Sequence, residues 1–75
     1  MFDIVIAKSE GVVFAGRAKS VILPGEQGIF EILPYHKPIL SRLVTGNIIV
    51  DGQIFPITRG IVGFNNNKTT IVVEG

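Results

Sequence analysis

Residues 23–46 limit the possible folds of this chain more than any other segment, because three prolines and three glycines interrupt it too often for a helix. Apolar residues stand between these breaks at a density too high for a solvated loop. Pro24-Gly25 predicts a tight turn, since proline fixes φ and glycine accepts positive φ. Gly28 then opens a short predicted strand, Ile29 to Leu33. The segment therefore predicts short strands joined by stiff turns.

A loop bracketed by Pro34 and Pro38 follows that strand. Proline cannot donate to a central ladder of hydrogen bonds, so the residues between the two prolines are expected to point outward. They are Tyr35, His36 and Lys37. Apolar residues after the loop are expected to return to the core: Ile39, Leu40 and Leu43.

Strand signals recur along the rest of the chain. Residues 2–8 alternate as a strand does, with Phe2, Ile4 and Ile6 on one side and Asp3, Val5 and Ala7 on the other. Asp51-Gly52, between residues 46–50 and 53–58, is a strong hairpin signal. Pro56 marks the second of these strands as an edge or a bulge. Other predicted strands are 12–14, 17–23 with Gly16 as a bulge or bend, 61–64 and 69–73, the last two joined by an asparagine-rich turn. No stretch of ten residues keeps a helical period, so the chain is expected to be all-β, an antiparallel β-sandwich or flattened barrel of roughly eight to ten short strands in a single domain, residues 1–75.

Composition narrows the function classes. The 75 residues suffice for one thin core, and 47% hydrophobic against 17% charged residues argues against disorder. No apolar run approaches the ~18 residues of a membrane span, and no signal peptide is evident. The charged residues are scattered singly and sum to a net charge of +1, which argues against nucleic-acid binding. Apolar surface covered by a partner is predicted; an ordinary two-sided core is the alternative.

Candidate chemistry is sparse. His36 is the only histidine and there is no cysteine, so a zinc site is not expected. No nucleophile, base and orienting acid form a recognisable set, and Gly25-x-x-Gly28 precedes a strand rather than a phosphate-binding helix. The sequence therefore predicts a protein that is not an enzyme and has no cofactor, in which His36 structures a loop or contributes to an interface.

The order of these motifs resembles the amino-terminal domain of the epsilon subunit of F-type ATP synthases. That family combines L-P-G, a nearby glycine, an apolar strand, P-x-H-x-P, two apolar residues and L-x-x-G. The corresponding segments here are 23–25, Gly28, 34–38, 39–40 and 43–46. Weaker matches lie at residues 2–5, 14–16, 21–23, 60–62 and 70–73. The resemblance therefore spans nearly the whole chain.

This resemblance implies a rotor subunit of the central stalk. Such a subunit couples the ion-driven membrane c-ring to the gamma subunit and the catalytic head without bond chemistry of its own. The implied location is peripheral, on the cytoplasmic face of the bacterial inner membrane. The sequence ends at Glu74-Gly75, so it resembles either the short epsilon subunits that lack a carboxy-terminal helical hairpin or a longer one from which the hairpin was removed. A free-standing small β-sandwich module that binds a ligand or peptide is the alternative.

The resemblance also implies two sets of interface residues. The predicted gamma interface comprises Tyr35, His36, Ile39, Leu40, Ser41, Lys8, Ser9 and Thr58. The predicted c-ring interface comprises Glu26, Gly28, Ile29 and Glu31. Ordinary surface roles remain open for the polar members, for Glu31 on a solvated strand face and for the Tyr35 ring folded over a sheet edge. Tyr35 also stands where the family usually has glycine.

Overall fold

A computed structural model describes residues 1–74; Gly75, where the predicted domain ends, lies outside the described residues. Within them the secondary structure consists of nine strands and no helix. The strands are β1 (Phe2–Lys8), β2 (Gly11–Ala18), β3 (Val21–Gly25), β4 (Gly28–Ile32), β5 (Ile39–Leu43), β6 (Gly46–Val50), β7 (Gln53–Ile57), β8 (Arg59–Asn65) and β9 (Lys68–Glu74). The predicted all-β fold is confirmed.

The nine strands form one sheet that curls upon itself. Its order is β2-β1-β9-β8-β5-β3-β6-β7, and β4 pairs with β3 off this path. Neighbouring strands are antiparallel except β1 and β9, which are parallel. A parallel pair needs a long connection, and here the whole chain separates the two strands. This one pair departs from the antiparallel arrangement expected from the sequence.

The core lies inside the curl and follows the predicted alternation. Phe2, Ile4 and Ile6 of β1 are buried, whereas Asp3 between them is exposed. The Phe2 and Phe64 rings meet edge to face with centroids 5.7 Å apart. Such a geometry adds roughly 0.5–1.5 kcal/mol to the burial of the two rings.

Both predicted hairpins are confirmed. The β6–β7 turn has positive φ at Asp51 (46°) and Gly52 (87°), and the β8–β9 turn has it at Asn66 (51°) and Asn67 (57°). Two successive left-handed residues twist a two-residue turn to match its strands. Pro56 lies on β7, the last strand of the order, as an edge position requires.

The turn predicted at Pro24-Gly25 is displaced. Both residues belong to β3, and the chain turns at 26–27 before Gly28, which has φ 124°. Gly25 is required for a different reason: a Cβ there would lie 2.8 Å from the Phe30 ring. The glycine therefore serves close packing within the β3–β4 hairpin.

The bulge predicted at Gly16 is also wrong. Ile6 pairs with Phe14 and Ala7 pairs with Val12, so the extra residue in β2 is Val13. The predicted strand 17–23 is two strands, because the chain leaves β2 after Ala18 and starts β3 at Val21. Local composition gave no signal for either feature, since both are set by pairing with β1 and β6.

β5 corrects the expectation that Leu40 returns to the core. Side chains of a strand alternate between its faces, and Leu43 of β5 is buried. Leu40 falls in the other set and is exposed, while Ile39 packs partly against the core.

Candidate functional site

The loop between β4 and β5 holds its residues outward, as predicted. Tyr35, His36 and Lys37 are all exposed. The His36 amide donates to the Leu33 carbonyl at 3.2 Å, which closes a turn. Tyr35 has φ 63°, a left-handed conformation that costs a non-glycine residue roughly 1–2 kcal/mol. The surroundings must therefore hold this loop in place.

His36 is one of the residues that hold it. The His36 Nδ1 atom lies 2.7 Å from the Lys37 carbonyl oxygen, and because a carbonyl only accepts, Nδ1 carries the proton. The His36 ring meets Phe64 edge to face with centroids 6.0 Å apart. The histidine thus links the loop to the aromatic pair of the core, which gives its predicted loop-structuring role a geometry.

Asn67 is the second residue that holds the loop, and sequence reasoning missed it. Its Oδ1 accepts from the Tyr35 amide at 2.8 Å, and its Nδ2 donates to the Met1 carbonyl at 2.8 Å. Its own carbonyl accepts from the Asp3 amide at 3.1 Å. The sequence indicated only a turn at this asparagine, because its partners lie far away along the chain.

The most exposed large apolar side chains coincide with predicted interface residues. Tyr35 is 83% exposed, Leu40 81% and Ile29 78%, and the next, Val12, is 65% exposed. Tyr35 and Leu40 belong to the predicted gamma set, and Ile29 belongs to the predicted c-ring set. These three residues, one on the 33–38 loop, one on β5 and one on β4, are the apolar members of the candidate site.

The predicted gamma set divides between two ends of the sheet. Tyr35 and His36 lie at what we call the Asn67 end, where the β8–β9 turn, the 33–38 loop and the amino terminus meet. Thr58 lies at the opposite, Glu74 end, where its hydroxyl donates to the Glu74 carbonyl at 3.0 Å. Lys8 and Ser9 line a groove at that same end. The set is therefore not one compact patch.

A partly apolar sheet face joins the two ends. Leu40 on β5 pairs with Gly63 on β8, and Ile61 pairs with Val72 of β9, both of them exposed. Val72 in turn pairs with Ala7 of β1. Ile61 pairs on its other side with the exposed Arg42 of β5, two residues from Leu40. We call residues 7, 40, 61 and 72 on this side of the sheet the outer face. Ile39 and Ser41 are only half-exposed and alternate with Leu40, so they do not share its side of β5.

The predicted c-ring set is more compact, because it belongs to one hairpin. Glu26 lies in the β3–β4 turn, and Gly28 begins β4. Ile29 and Glu31 are both exposed and share one face of β4 through strand alternation. A shallow depression lined by Glu26, Gly28 and Ile29 also includes Ile39 and Ser41. The two predicted sets are therefore contiguous.

The charged residues Arg59, Glu74 and Glu10 near the Glu74 end are solvent-exposed. Arg59 and Glu74 form an ion pair with N–O separation 2.9 Å, and the hydrogen bond to Glu74 raises the pKa of Arg59. The Ser9 hydroxyl donates to Glu10 at 2.7 Å and lowers the pKa of that carboxyl group. Among residues 1–74, no three His, Asp or Glu side chains come together as a metal site would require. Neither does that part of the chain contain a helix of the length and hydropathy that crossing a bilayer takes.

Comparison with known proteins extends this description. Residues 1–75 match the family described as the ATP synthase delta/epsilon chain, beta-sandwich domain. The chain is 41% identical over 75 residues to the ATP synthase epsilon chain of Nitratiruptor, with 93% of the chain and 58% of that protein covered. For the epsilon chain of Sulfurovum, identity is 39% with 93% and 59% covered. The chain thus spans somewhat more than half the length of these curated relatives.

A solved structure has the same fold. A chain in the central stalk and c-ring structure of the Tetrahymena thermophila mitochondrial ATP synthase superposes with a TM-score of 0.80. The alignment covers 97% of this chain and 63% of that one, at 15% sequence identity. At that identity the likeness concerns the fold.

Proposed function

The chain belongs to the family of ATP synthase delta/epsilon-chain β-sandwich domains, and from this premise we propose that it acts in the rotor of the enzyme. It couples the ion-driven c-ring to the gamma subunit and the catalytic head, and it carries out no bond chemistry itself. The Nitratiruptor and Sulfurovum relatives are named epsilon chains of ATP synthase. The Tetrahymena structure, named for its central stalk and c-ring, supports the same assignment.

One observation carries the proposal: the three most exposed large apolar side chains are Tyr35, Leu40 and Ile29. A small chain that leaves these side chains in water gains free energy when a partner covers them, at about 25 cal/mol per Å² of apolar area. The apolar outer face beside Leu40 provides further area of the same kind. Binding to other subunits therefore fits this surface better than catalysis does.

For the gamma subunit we propose the Asn67 end together with the outer face. Tyr35 is an amphipathic ring of the type enriched at interfaces, and its loop is fixed by His36 and Asn67 before any partner arrives. A fixed loop loses little conformational entropy on docking. Rotation of the c-ring would be transmitted most directly through contacts with a loop that is already fixed. Lys8, Ser9 and Thr58 would lie at the far rim of the same interface.

For the c-ring we propose the β3–β4 hairpin, with Ile29 as the apolar contact and Glu26 and Glu31 as charged contacts. The hairpin lies beside Ile39 and Ser41, which are on the side of β5 opposite Leu40, so one domain would bridge the two partners through different surfaces. Through these partners the chain would be held peripherally at the membrane, on its cytoplasmic face.

Co-expression with the gamma and c subunits of the same organism, followed by purification through this chain, tests the proposal. The Tyr35→Ala/Leu40→Ala double variant should bind the gamma subunit more than about 30-fold more weakly, which is the scale of interface hot spots. Ile54→Ala is the matched control, because Ile54 is 58% exposed on edge strand β7 and belongs to neither proposed interface.

The c-ring part has its own variants. Ile29→Ala and Glu31→Lys should weaken recovery of the ring while gamma is retained. A folded wild-type chain that recovers neither partner would contradict the rotor assignment. Equal loss of gamma from the Ile54 variant and the double variant would contradict the proposed location of the interface.

A further inference from the structure

We propose that Asn67 is a positioning residue, which fixes the 33–38 loop in the conformation that docks on the partner. This inference rests on the proposed function, since the partner is taken to be the gamma subunit. Asn67 itself lies in the β8–β9 turn and contributes through its two side-chain hydrogen bonds. Its role would be to hold Tyr35 rather than to contact the partner.

Three segments that are distant in sequence converge on this one residue. Its Oδ1 reaches the Tyr35 amide, 32 residues away, and its Nδ2 reaches the Met1 carbonyl, 66 residues away. The Asp3 amide donates to its backbone carbonyl at 3.1 Å. The amino terminus, the β8–β9 turn and the exposed loop are thereby joined through a single amide side chain.

Tyr35 is the loop residue whose backbone conformation most depends on the hydrogen bond to Asn67. With φ 63° it occupies a conformation that favours glycine, so a free loop would leave it for more extended states. The bond from the Tyr35 amide to Asn67 acts on the backbone at this strained position. A loop with several conformations would present the tyrosine ring correctly in only a fraction of the molecules. The apparent affinity for the gamma subunit is reduced in proportion to that fraction.

Asn66 provides a matched control within the same turn. It has φ 51°, close to the 57° of Asn67, and within residues 1–74 its side chain makes no hydrogen bond. Glycine accepts positive φ at both positions. Asn66→Gly and Asn67→Gly therefore make the same chemical change in the same turn, but only the second removes bonds to the loop and the amino terminus.

The experiment measures two quantities on each folded variant. Amide hydrogen exchange of Tyr35 in the free chain reports how firmly the loop is held. Titration with the purified gamma subunit reports docking. Asn67→Gly should exchange the Tyr35 amide about tenfold faster and bind gamma about 5- to 10-fold more weakly, the scale of one or two lost hydrogen bonds. Asn66→Gly should match the wild type in both.

Asn67→Asp separates the two bonds, because aspartate keeps an oxygen for the Tyr35 amide and lacks the amide donor for Met1. It should keep most of the Tyr35 protection and most of the affinity. Wild-type exchange of Tyr35 in Asn67→Gly would overturn the inference, as would faster exchange with unchanged gamma affinity. If the wild-type chain does not bind gamma, the proposed function and the docking role fail together, whereas the exchange rates still decide whether Asn67 holds the loop.

Discussion

The β6–β7 and β8–β9 hairpins use the same device on different parts of the molecule. Each turns through two left-handed residues, and in each a turn side chain binds the backbone of a distant segment. The Asp51 carboxylate accepts from the Lys19 amide at 3.1 Å and the Ser20 amide at 3.0 Å, where β2 passes into β3. Asn67 instead holds the loop that presents Tyr35.

The difference shows how one local motif serves two purposes. The connection held by Asp51 is polar and lies beside core strands, so its fixation contributes to folding. The loop held by Asn67 carries the most exposed large apolar side chain of the described residues, so its fixation contributes to docking. Removing the first tie should therefore lower stability more, and removing the second should lower partner affinity more.

The largest expected effect on stability is that of Asp51→Ala. It removes carboxylate hydrogen bonds to two amides and puts alanine at φ 46°, which together should lower the free energy of unfolding by about 2–3 kcal/mol. Denaturant unfolding measures the loss, with Asp51→Asn as the milder control. A loss below about 0.5 kcal/mol would mean that the two hairpins do not differ in this way.

Tyr35→Gly should move stability and binding in opposite directions. Glycine relieves the left-handed strain at φ 63° but enlarges the entropy of the unfolded chain, for a net gain of about 0.5–1 kcal/mol. Gamma affinity should fall, because the ring is lost. Lys37→Gly in the same loop, at a residue without positive φ, should only destabilise. A Tyr35→Gly variant less stable than the Lys37→Gly variant would contradict the strain argument.

A smaller gain is expected from Thr69→Val, on β9 near the Asn67 end. Thr69 is fully buried, and its Oγ1 finds no hydrogen-bond partner within residues 1–74. Replacing an unsatisfied hydroxyl with a methyl group should raise the free energy of unfolding by about 1 kcal/mol. Thr70→Val, exposed on the same strand, controls for the general effect of valine in β9. Destabilisation by Thr69→Val would indicate that the hydroxyl is satisfied in solution.

The smallest effect should be that of Arg59→Ala at the Glu74 end. Its ion pair with Glu74 is exposed on both sides, and screened pairs of this kind contribute little. Thermal melting should show no measurable shift in midpoint at moderate salt. A clear shift in the melting midpoint that disappears at high salt would show that the Arg59–Glu74 ion pair stabilises the fold and would contradict this expectation.

The sequence predicted what local chemistry decides. Asp51-Gly52 and the asparagine turn predicted both hairpins, and alternation along residues 2–8 predicted a strand there. The P-x-H-x-P pattern predicted the exposed loop. The side-chain hydrogen bonds of Asp51 and Asn67 to distant backbone amides could not be predicted, because their partners lie 31 and 32 residues away. Leu40 was expected in the core together with Leu43, but alternation along a strand puts these two residues on opposite faces of β5.

Side-chain footprinting of the free chain, its gamma complex and its complex with gamma and the c-ring would test the central claim most directly. The account predicts that gamma protects Tyr35 and Leu40 from labelling, that Ile29 becomes protected only when the ring is present, and that Ile54 is labelled equally throughout. Unchanged labelling of Tyr35 and Leu40 in a stable gamma complex would show that these exposed apolar residues are not the interface.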